Sequence, residues 1–150
     1  MKTSFKILFP FVIYVISSFT AYAQTGRFYT TDGGLSSSLI NHFFQDSKGF
    51  MWTATEYGLN SFDGLRFANY WHVSGDSTSI KNNYVRTLFE DSRQNLLIGC
   101  IDGLMRYDRE TNTFSEIPMI RAGKQVFPHV TQMQELHNGE IWMTTTGQGM

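Results

Sequence analysis

The sequence predicts an all-β fold in which short strands build successive four-stranded sheets. Its first support is an internal repeat, because Ile40, Val85 and Val130 follow one another at intervals of 45 residues. The second is the character of the apolar runs, which are short, aromatic or β-branched and separated by turn residues, as in strands rather than helices. Repeats of about 40–45 residues with four strands each are typical of β-propeller blades. We therefore predict a β-propeller of four-stranded antiparallel blades.

The repeat rests on matched positions and not on spacing alone. FQDSKGFMW at 44–52 and FEDSRQNLL at 89–97 occupy the same place in the first and second copies. The third copy keeps Gly139 and Trp142 in register with Gly49 and Trp52. The other matches between the first two copies are Gly58-Leu59 with Gly103-Leu104, Phe62 with Tyr107, and Asp63 with Asp108.

Ten strands are expected, at 39–45, 50–55, 59–63, 66–71, 84–90, 96–101, 104–108, 113–117, 128–135 and 140–146. The turns between first and second strands contain Gly or Asn, which tolerate the positive φ of tight hairpins. Asp46 and Asp91 open two of these turns, and we interpret them as residues whose carboxylates bind nearby backbone N–H groups. A catalytic carboxylate pair is the alternative. Trp52, Leu97 and Trp142 share one repeated position, which we interpret as core between blades, with ligand stacking as the alternative.

The chain divides into five segments. Residues 1–23 have the layout of a secretory signal peptide, with two lysines, an apolar run and the triplet Ala21-Tyr22-Ala23, so cleavage is expected between Ala23 and Gln24. Residues 24–33 are expected to supply a closing strand to a last blade that is missing here. Repeats follow at 34–78, 79–123 and, truncated, 124–150. About two and a half blades are thus expected, as the N-terminal fragment of a larger propeller that does not fold stably alone.

Composition narrows the possible functions. After residue 23 the chain has ten basic and thirteen acidic residues, scattered along its length, so nucleic acid is not an expected partner. Cys100 is the only cysteine, and the four histidines lack the spacing of a metal site. No G-x-S-x-G or P-loop motif is present. We expect no catalytic residues, no metal and no cofactor in this chain.

Residues 34–70 resemble the opening of the periplasmic sensor region of hybrid two-component regulators, which is built from two-component regulator propeller repeats. The first copy departs from the usual repeat at Thr53-Ala54 and Ser61, and the second at Leu97 and Cys100. The residues that carry the resemblance in the first copy are Ile40, Phe44, Gln45, Asp46, Gly49, Trp52, Thr55, Gly58, Leu59 and Asp63, and in the second Ile98-Gly99 and Arg106-Tyr107-Asp108.

This resemblance implies an exported, periplasmic ligand sensor that signals by conformational change. In such proteins the propeller is followed by a transmembrane helix, a histidine kinase, a receiver and a DNA-binding domain, so membrane contact and kinase activity would belong to C-terminal regions absent here. The implied partners are the remaining blades and a ligand, which is either a small molecule or an oligosaccharide released from a polysaccharide. A secreted propeller enzyme, either a lyase or a hydrolase, and a stand-alone structural or adhesive propeller are the alternatives.

Ligand contacts are expected on loops at one end of the propeller, where rigid blades position variable tips. Aromatic rings can stack on sugar faces, and Asn or Asp side chains can bond hydroxyl groups. The candidates are Tyr57, Trp71, His72, Asn83 and Asp102. For each of them, packing between neighbouring blades is the alternative role.

Overall fold

The computed structural model describes residues 26–147 and 149, and these contain twelve strands and no α-helix. The predicted signal peptide and its cleavage site at Ala23 and Gln24 lie outside the described residues. A short 3-10 turn at Thr31–Gly33 precedes the first strand. The strands are β1 (Ile40–Gln45), β2 (Met51–Thr55), β3 (Gly58–Phe62), β4 (Phe67–Tyr70), β5 (Val85–Glu90), β6 (Leu96–Cys100), β7 (Gly103–Asp108), β8 (Thr113–Ile117), β9 (Met119–Arg121), β10 (Lys124–Val126), β11 (Val130–Glu135) and β12 (Ile141–Thr145).

The strands form successive antiparallel sheets, which we call blades 1 to 3. Blade 1 has the order β1-β2-β3-β4, and blade 2 has the order β5-β6-β7-β8. In blade 3 the described residues supply β11 paired with β12. Because consecutive strands pair in each sheet, every blade is a meander whose first strand lies at one edge. The predicted all-β architecture of four-stranded blades is confirmed.

Each of the ten expected strands is present, with ends that differ by at most two residues from the sequence-based ranges. The hairpin of β9 and β10 was not expected. Its turn, Ala122-Gly123, has φ angles of 50° and 76° at the two central residues, as the tight turn of a two-residue hairpin requires. Alanine seldom adopts a positive φ, so the sequence carried no strong turn signal here. The hairpin spans the expected boundary between 79–123 and 124–150.

The first strand of every blade contains a β-bulge at the same position. The pairing register shifts between Ile40 and His42 in β1, and it shifts at the corresponding places in β5 and β11. The extra residues are Asn41, Arg86 and Thr131, which are 45 residues apart. A bulge redirects a side chain and twists its strand, so all three first strands bend alike.

The blades stack face to face, and their cores lie between them. Trp52 is 2% exposed and packs against Tyr70 and Tyr107, with ring centroids 5.8 and 4.9 Å away. Leu97, at the same repeated position in blade 2, is also buried and contacts the face of blade 3. The prediction that this position is core is therefore confirmed in blades 1 and 2. Trp142, the third member, is 48% exposed.

The turn aspartates act as the sequence predicted. The Oδ1 atom of Asp46 accepts the backbone N–H groups of Lys48 and Phe50, at 3.0 and 2.9 Å. In blade 2, Oδ1 of Asp91 accepts those of Arg93 and Asn95. Each carboxylate thus satisfies two amide donors that the tight turn would otherwise leave unpaired.

The same turns bind the following blade, a role that sequence analysis missed. The N–H and hydroxyl of Ser47 both donate to the carboxylate of Glu90, at 2.7 and 3.0 Å. Ser92 makes the same pair of bonds to Glu135, each at 2.7 Å. We call this repeated contact the serine–glutamate clasp. Its two copies are 45 residues apart, so it belongs to the repeat.

An arginine reinforces the first of these joints. Arg109, in the turn between β7 and β8, donates from Nη1 to Asp46 and from Nη2 to Glu90, both at 2.7 Å. The indole N–H of Trp52 donates to the same Oδ2 atom of Asp46. Burial alone would raise the pKa of Asp46, but the bonds from Trp52, Arg109 and Phe50 and the charge of Arg109 hold that pKa below its usual value.

Residues 26–30, which fall in the expected closing strand, form no strand among the described residues. The Tyr29 ring meets Phe62 and Phe67 edge-on, with centroids 5.0 and 5.6 Å away, so this segment lies against the outer part of blade 1. Its expected part in closing a last blade stays a prediction.

Candidate functional site

The expected ligand loops lie at one end of the blades, which we call the loop end. The pairing of Thr55 with both Ile40 and Gly58 places the start of β1 and the β2–β3 turn at this end. Leu59 pairs with Tyr70, so the link from β4 to β5 begins there too. The β6–β7 turn of blade 2 and the β9–β10 hairpin belong to the same end by the same alternation of strand directions.

Tyr57 and Trp71 form an exposed aromatic pair at the loop end. The indole N–H of Trp71 donates to the backbone oxygen of Tyr57, at 3.1 Å. Tyr57 and Trp71 are 65% and 47% exposed, and this bond holds the Trp71 ring in place. Aromatic rings with a free face and a fixed position can stack on the apolar face of a sugar ring. The two aromatic candidates are therefore neighbours.

Gly58 makes room for this arrangement. Its φ is +113°, and a Cβ atom added there would lie 2.7 Å from the backbone oxygen of Tyr70 and 2.9 Å from Cδ1 of Trp71. Only glycine combines that backbone angle with so close an approach. The Trp71 ring accordingly rests against the β2–β3 turn of its own blade.

His72 and Asn83 tie the long link between the two blades to this turn. The side-chain oxygen of Asn83 accepts the N–H of His72, and its backbone oxygen accepts the N–H of Gly58, both at 2.7 Å. Nδ1 of His72 lies 3.0 Å from the backbone oxygen of Ile80 and donates to it, since a carbonyl can only accept. The structure thus brings four of the five candidates together, with Asn83 in a positioning role.

Asp102 lies in the β6–β7 turn of blade 2 and contacts the same link. Its Oδ2 atom accepts the side-chain N–H of Asn82, at 3.2 Å, and its Oδ1 atom is buried without a hydrogen-bond partner among the described residues. Burial, with a further contribution from the negative charge of Asp102, raises the pKa of Cys100 to about 12. Cys100 is therefore a buried neutral thiol.

Three residues that precede the first strands were not among the candidates. Leu39, Tyr84 and His129 are 45 residues apart, and the Tyr84 ring meets the His129 ring edge-on at 6.4 Å. The Tyr84 hydroxyl donates to Glu56, at 3.2 Å, which joins the turn of blade 1 to the start of blade 2. The 45-residue spacing of the repeat would have been enough to identify this row from the sequence.

The titratable side chains of the described residues do not cluster as metal ligands. Among residues 26–147 and 149, no three His, Cys, Asp or Glu side chains lie close enough to hold a metal ion. Burial lowers the pKa of His42, whose Nδ1 atom accepts the N–H of Leu88 in the next blade. That histidine is a neutral inter-blade contact. Over the same described residues, no helix is long and apolar enough to cross a membrane.

Four-stranded antiparallel meanders that stack face to face, joined by repeated contacts every 45 residues, define a β-propeller. Comparison with known proteins identifies the kind of repeat. Residues 34–57 match the model of the family described as "Two component regulator propeller". The resemblance found in the sequence is confirmed, and this chain carries a two-component regulator propeller repeat.

Among the known proteins that this chain resembles are a histidine kinase and two proteins described as hybrid two-component systems. The chain is 35% identical over 77 residues to "Histidine kinase P4" from Formosa agariphila, strain DSM 15362. Its structure superimposes, with a TM-score of 0.69 and 30% identity, on the extracellular domain of BT3049 from B. thetaiotaomicron, described as a hybrid two-component system. The corresponding values for the extracellular domain of the B. thetaiotaomicron hybrid system BT4673 are 0.66 and 25%.

The structural matches cover most of this chain and the sequence match covers about half of it, but all of them cover little of the relatives. The two structural matches include 79% and 82% of the chain, and 17% and 18% of the other proteins. The match to the histidine kinase includes 49% of the chain and 6% of that protein. The chain therefore corresponds to a small part of each relative.

Proposed function

We propose that this chain is the N-terminal part of a periplasmic ligand-sensing propeller of a hybrid two-component histidine kinase. The ligand is an oligosaccharide released from a polysaccharide, and it binds at the loop end. Binding changes the relative position of the blades, and output domains elsewhere in the same protein receive that change. These residues themselves perform no catalysis.

The observation that carries this proposal is the Tyr57–Trp71 pair. Two large aromatic side chains that remain about half exposed forgo roughly half of the free energy of full burial, which is about 1.5–3 kcal/mol for a large apolar side chain, unless a ligand covers them. The Trp71 ring is fixed by its bond to the Tyr57 backbone and by contact with Gly58. A fixed ring loses little conformational entropy when a ligand stacks on it.

The contacts of Asn83 connect the ligand site to both blades, so that ligand binding at Trp71 is transmitted to the joint between them. Asn83 bonds Gly58 in the turn of blade 1 and His72 in the link to blade 2. A ligand that pulls on Trp71 therefore acts on both elements at once. Since Tyr84 follows Asn83 and bonds Glu56 of blade 1, movement of the link changes the angle between the two blades.

The test uses the native gene product that contains these residues, with Trp71→Ala and Tyr57→Ala as variants. Oligosaccharides from digested polysaccharides are screened for binding by calorimetry and for transcriptional output in cells. Each variant should reduce affinity at least tenfold and shift the response to higher ligand concentration. Phe50→Ala is the matched control, because Phe50 is also exposed but lies at the opposite end of blade 1.

An unchanged affinity and response in both aromatic variants would refute the site. Loss of binding in the Phe50→Ala control, to the same degree, would show that the effect comes from general destabilisation. A Gly58→Ala variant adds a third measurement, because its Cβ must displace Trp71 without removing either ring.

A further inference from the structure

The bulged residues of the first strands form a row of polar side chains that is separate from the aromatic pair. Asn41, Arg86 and Thr131 occupy one repeated position, and all three are polar. Bulges are often found beside binding sites, where they redirect a side chain. The question is where these side chains point and what they could bind.

The side chains of Asn41 and Arg86 point away from the blade faces, whereas the hydroxyl of Thr131 donates to the backbone oxygen of Thr144 in its own blade, at 3.0 Å. In β5 the neighbours of Arg86, Val85 and Thr87, are buried between blades, whereas Arg86 is exposed. Since β5 is the first strand of its sheet, Arg86 projects from the strand edge that no β-strand of the described residues covers. Asn41 reaches along the same edge, where its Nδ2 atom donates to the backbone oxygen of Val85, at 2.8 Å.

This edge faces the axis around which the blades are arranged. The first strands β1, β5 and β11 lie next to one another in that order. Residues that project from their common edge therefore converge on the centre of the propeller. The row sits one step below Tyr84 and His129 and so opens at the loop end, on the same side as the aromatic pair.

Arg86 has no anionic partner in this row. Its Nη1 atom lies 3.4 Å from the side-chain oxygen of Asn41, and none of the ion pairs within 4 Å among the described residues includes it. Glu90, in the same strand as Arg86, binds Arg109 instead. A guanidinium group at this exposed strand edge, with donors to spare, fits a carboxylate or a sulfate group.

We infer that Arg86 is the centre of an axial anion-binding site, and that the ligand of this propeller is an acidic sugar. This inference rests on the proposed sensing function and deepens it. The guanidinium binds the anionic group of one sugar residue near the axis, while Trp71 and Tyr57 contact the outer part of the same ligand. Asn41 holds the guanidinium in place.

The test compares the binding of two acidic sugars and one neutral sugar to the native gene product. Binding of glucuronate, glucose 6-sulfate and glucose is measured by ligand-observed NMR at low and high salt. Arg86→Gln should weaken binding of the two anions about tenfold, in keeping with the loss of a charge-assisted bond, and leave glucose unaffected. Arg86→Lys should restore part of the affinity, and high salt should weaken anion binding to the unaltered protein.

Arg93→Gln is the matched control, since Arg93 lies in the β5–β6 turn at the opposite end of the same blade and is also exposed. If only the carboxylate or only the sulfate probe responds, that probe identifies the anion. Equal anion affinity in the Arg86→Gln and unaltered proteins, or no anion binding at all, would overturn the inference. If Arg86→Gln has no effect while Trp71→Ala abolishes the oligosaccharide response, the sensing function is supported and the axial site is refuted.

Discussion

Replacing Arg109 with alanine should loosen the joint between blades 1 and 2 without affecting the next joint. The guanidinium of Arg109 is 24% exposed, and it binds the carboxylates of Asp46 and Glu90, which are 0% and 8% exposed. Removing one member of a buried ion pair typically costs about 3–5 kcal/mol, because the other charge is left uncompensated. Asp46 keeps its bonds from Trp52 and two backbone amides, so we expect about 3 kcal/mol, at the lower limit of that range.

Hydrogen exchange on the native gene product measures this locally. A loss of about 3 kcal/mol corresponds to roughly a hundredfold faster exchange for amides that open with the joint. These are the amides of Ser47, Lys48 and Phe50. The amides of Arg93 and Asn95, bound by Asp91 in the equivalent turn, provide an internal control. Arg106→Ala removes the same charge from an exposed position of blade 2.

The effect should also depend on pH. Because the pKa of Asp46 in the folded protein is below its usual value, the stability that ionised Asp46 contributes is present above about pH 4 and is lost as the pH falls through the folded pKa. Protonation of Asp46 removes the uncompensated charge in the variant. The difference between variant and unaltered protein should therefore shrink below about pH 4. Faster exchange in both turns alike, or a difference independent of pH, would refute this reasoning.

Three further predictions concern the blade interfaces. Gly99→Ala should lower stability by about 1–3 kcal/mol in thermal denaturation, because its Cβ would lie 2.6 Å from Thr87 Cγ2 and force the first strands of blades 2 and 3 apart. Cys100, with its pKa raised to about 12, should resist iodoacetamide at pH 8 in the folded protein and react only in denaturant, as mass spectrometry would show; labelling of the native state would contradict the assigned burial. Glu135→Gln should speed exchange at the Ser92 amide by roughly fivefold, consistent with about 1 kcal/mol for a weakened hydrogen bond, whereas the exposed Glu140→Gln should leave it unchanged.

The sequence predicted the blades well because local and repeated signals agree there. Asp46 and Asp91 could be interpreted as turn residues because the geometry that their carboxylates satisfy involves backbone within four positions. Trp52 and Leu97 were expected in the core because both faces of a blade strand are covered. In each case the repeat showed the same chemistry twice.

What the sequence did not reveal are contacts that cross between blades. Arg109 meets Asp46 from 63 positions away, across the joint between blades 1 and 2. Blade 1 has Gly64 at the place that Arg109 occupies in blade 2, so no periodicity marks this bond. The bulge at Asn41 and Arg86 is likewise invisible to a residue pattern, since it depends on pairing with the second strand.

The serine–glutamate clasp suggests how such a protein could gain blades during evolution. Each clasp takes its donor from one repeat and its acceptor from the next, so the second repeat supplies Glu90 to one joint and Ser92 to the other. A tandem duplication of that repeat would thus deliver a new blade with both halves already matched to its neighbours. Head-to-tail contacts of this kind close into rings when the rotation per unit permits. Blade number could then change by recombination between repeats without the evolution of a new interface.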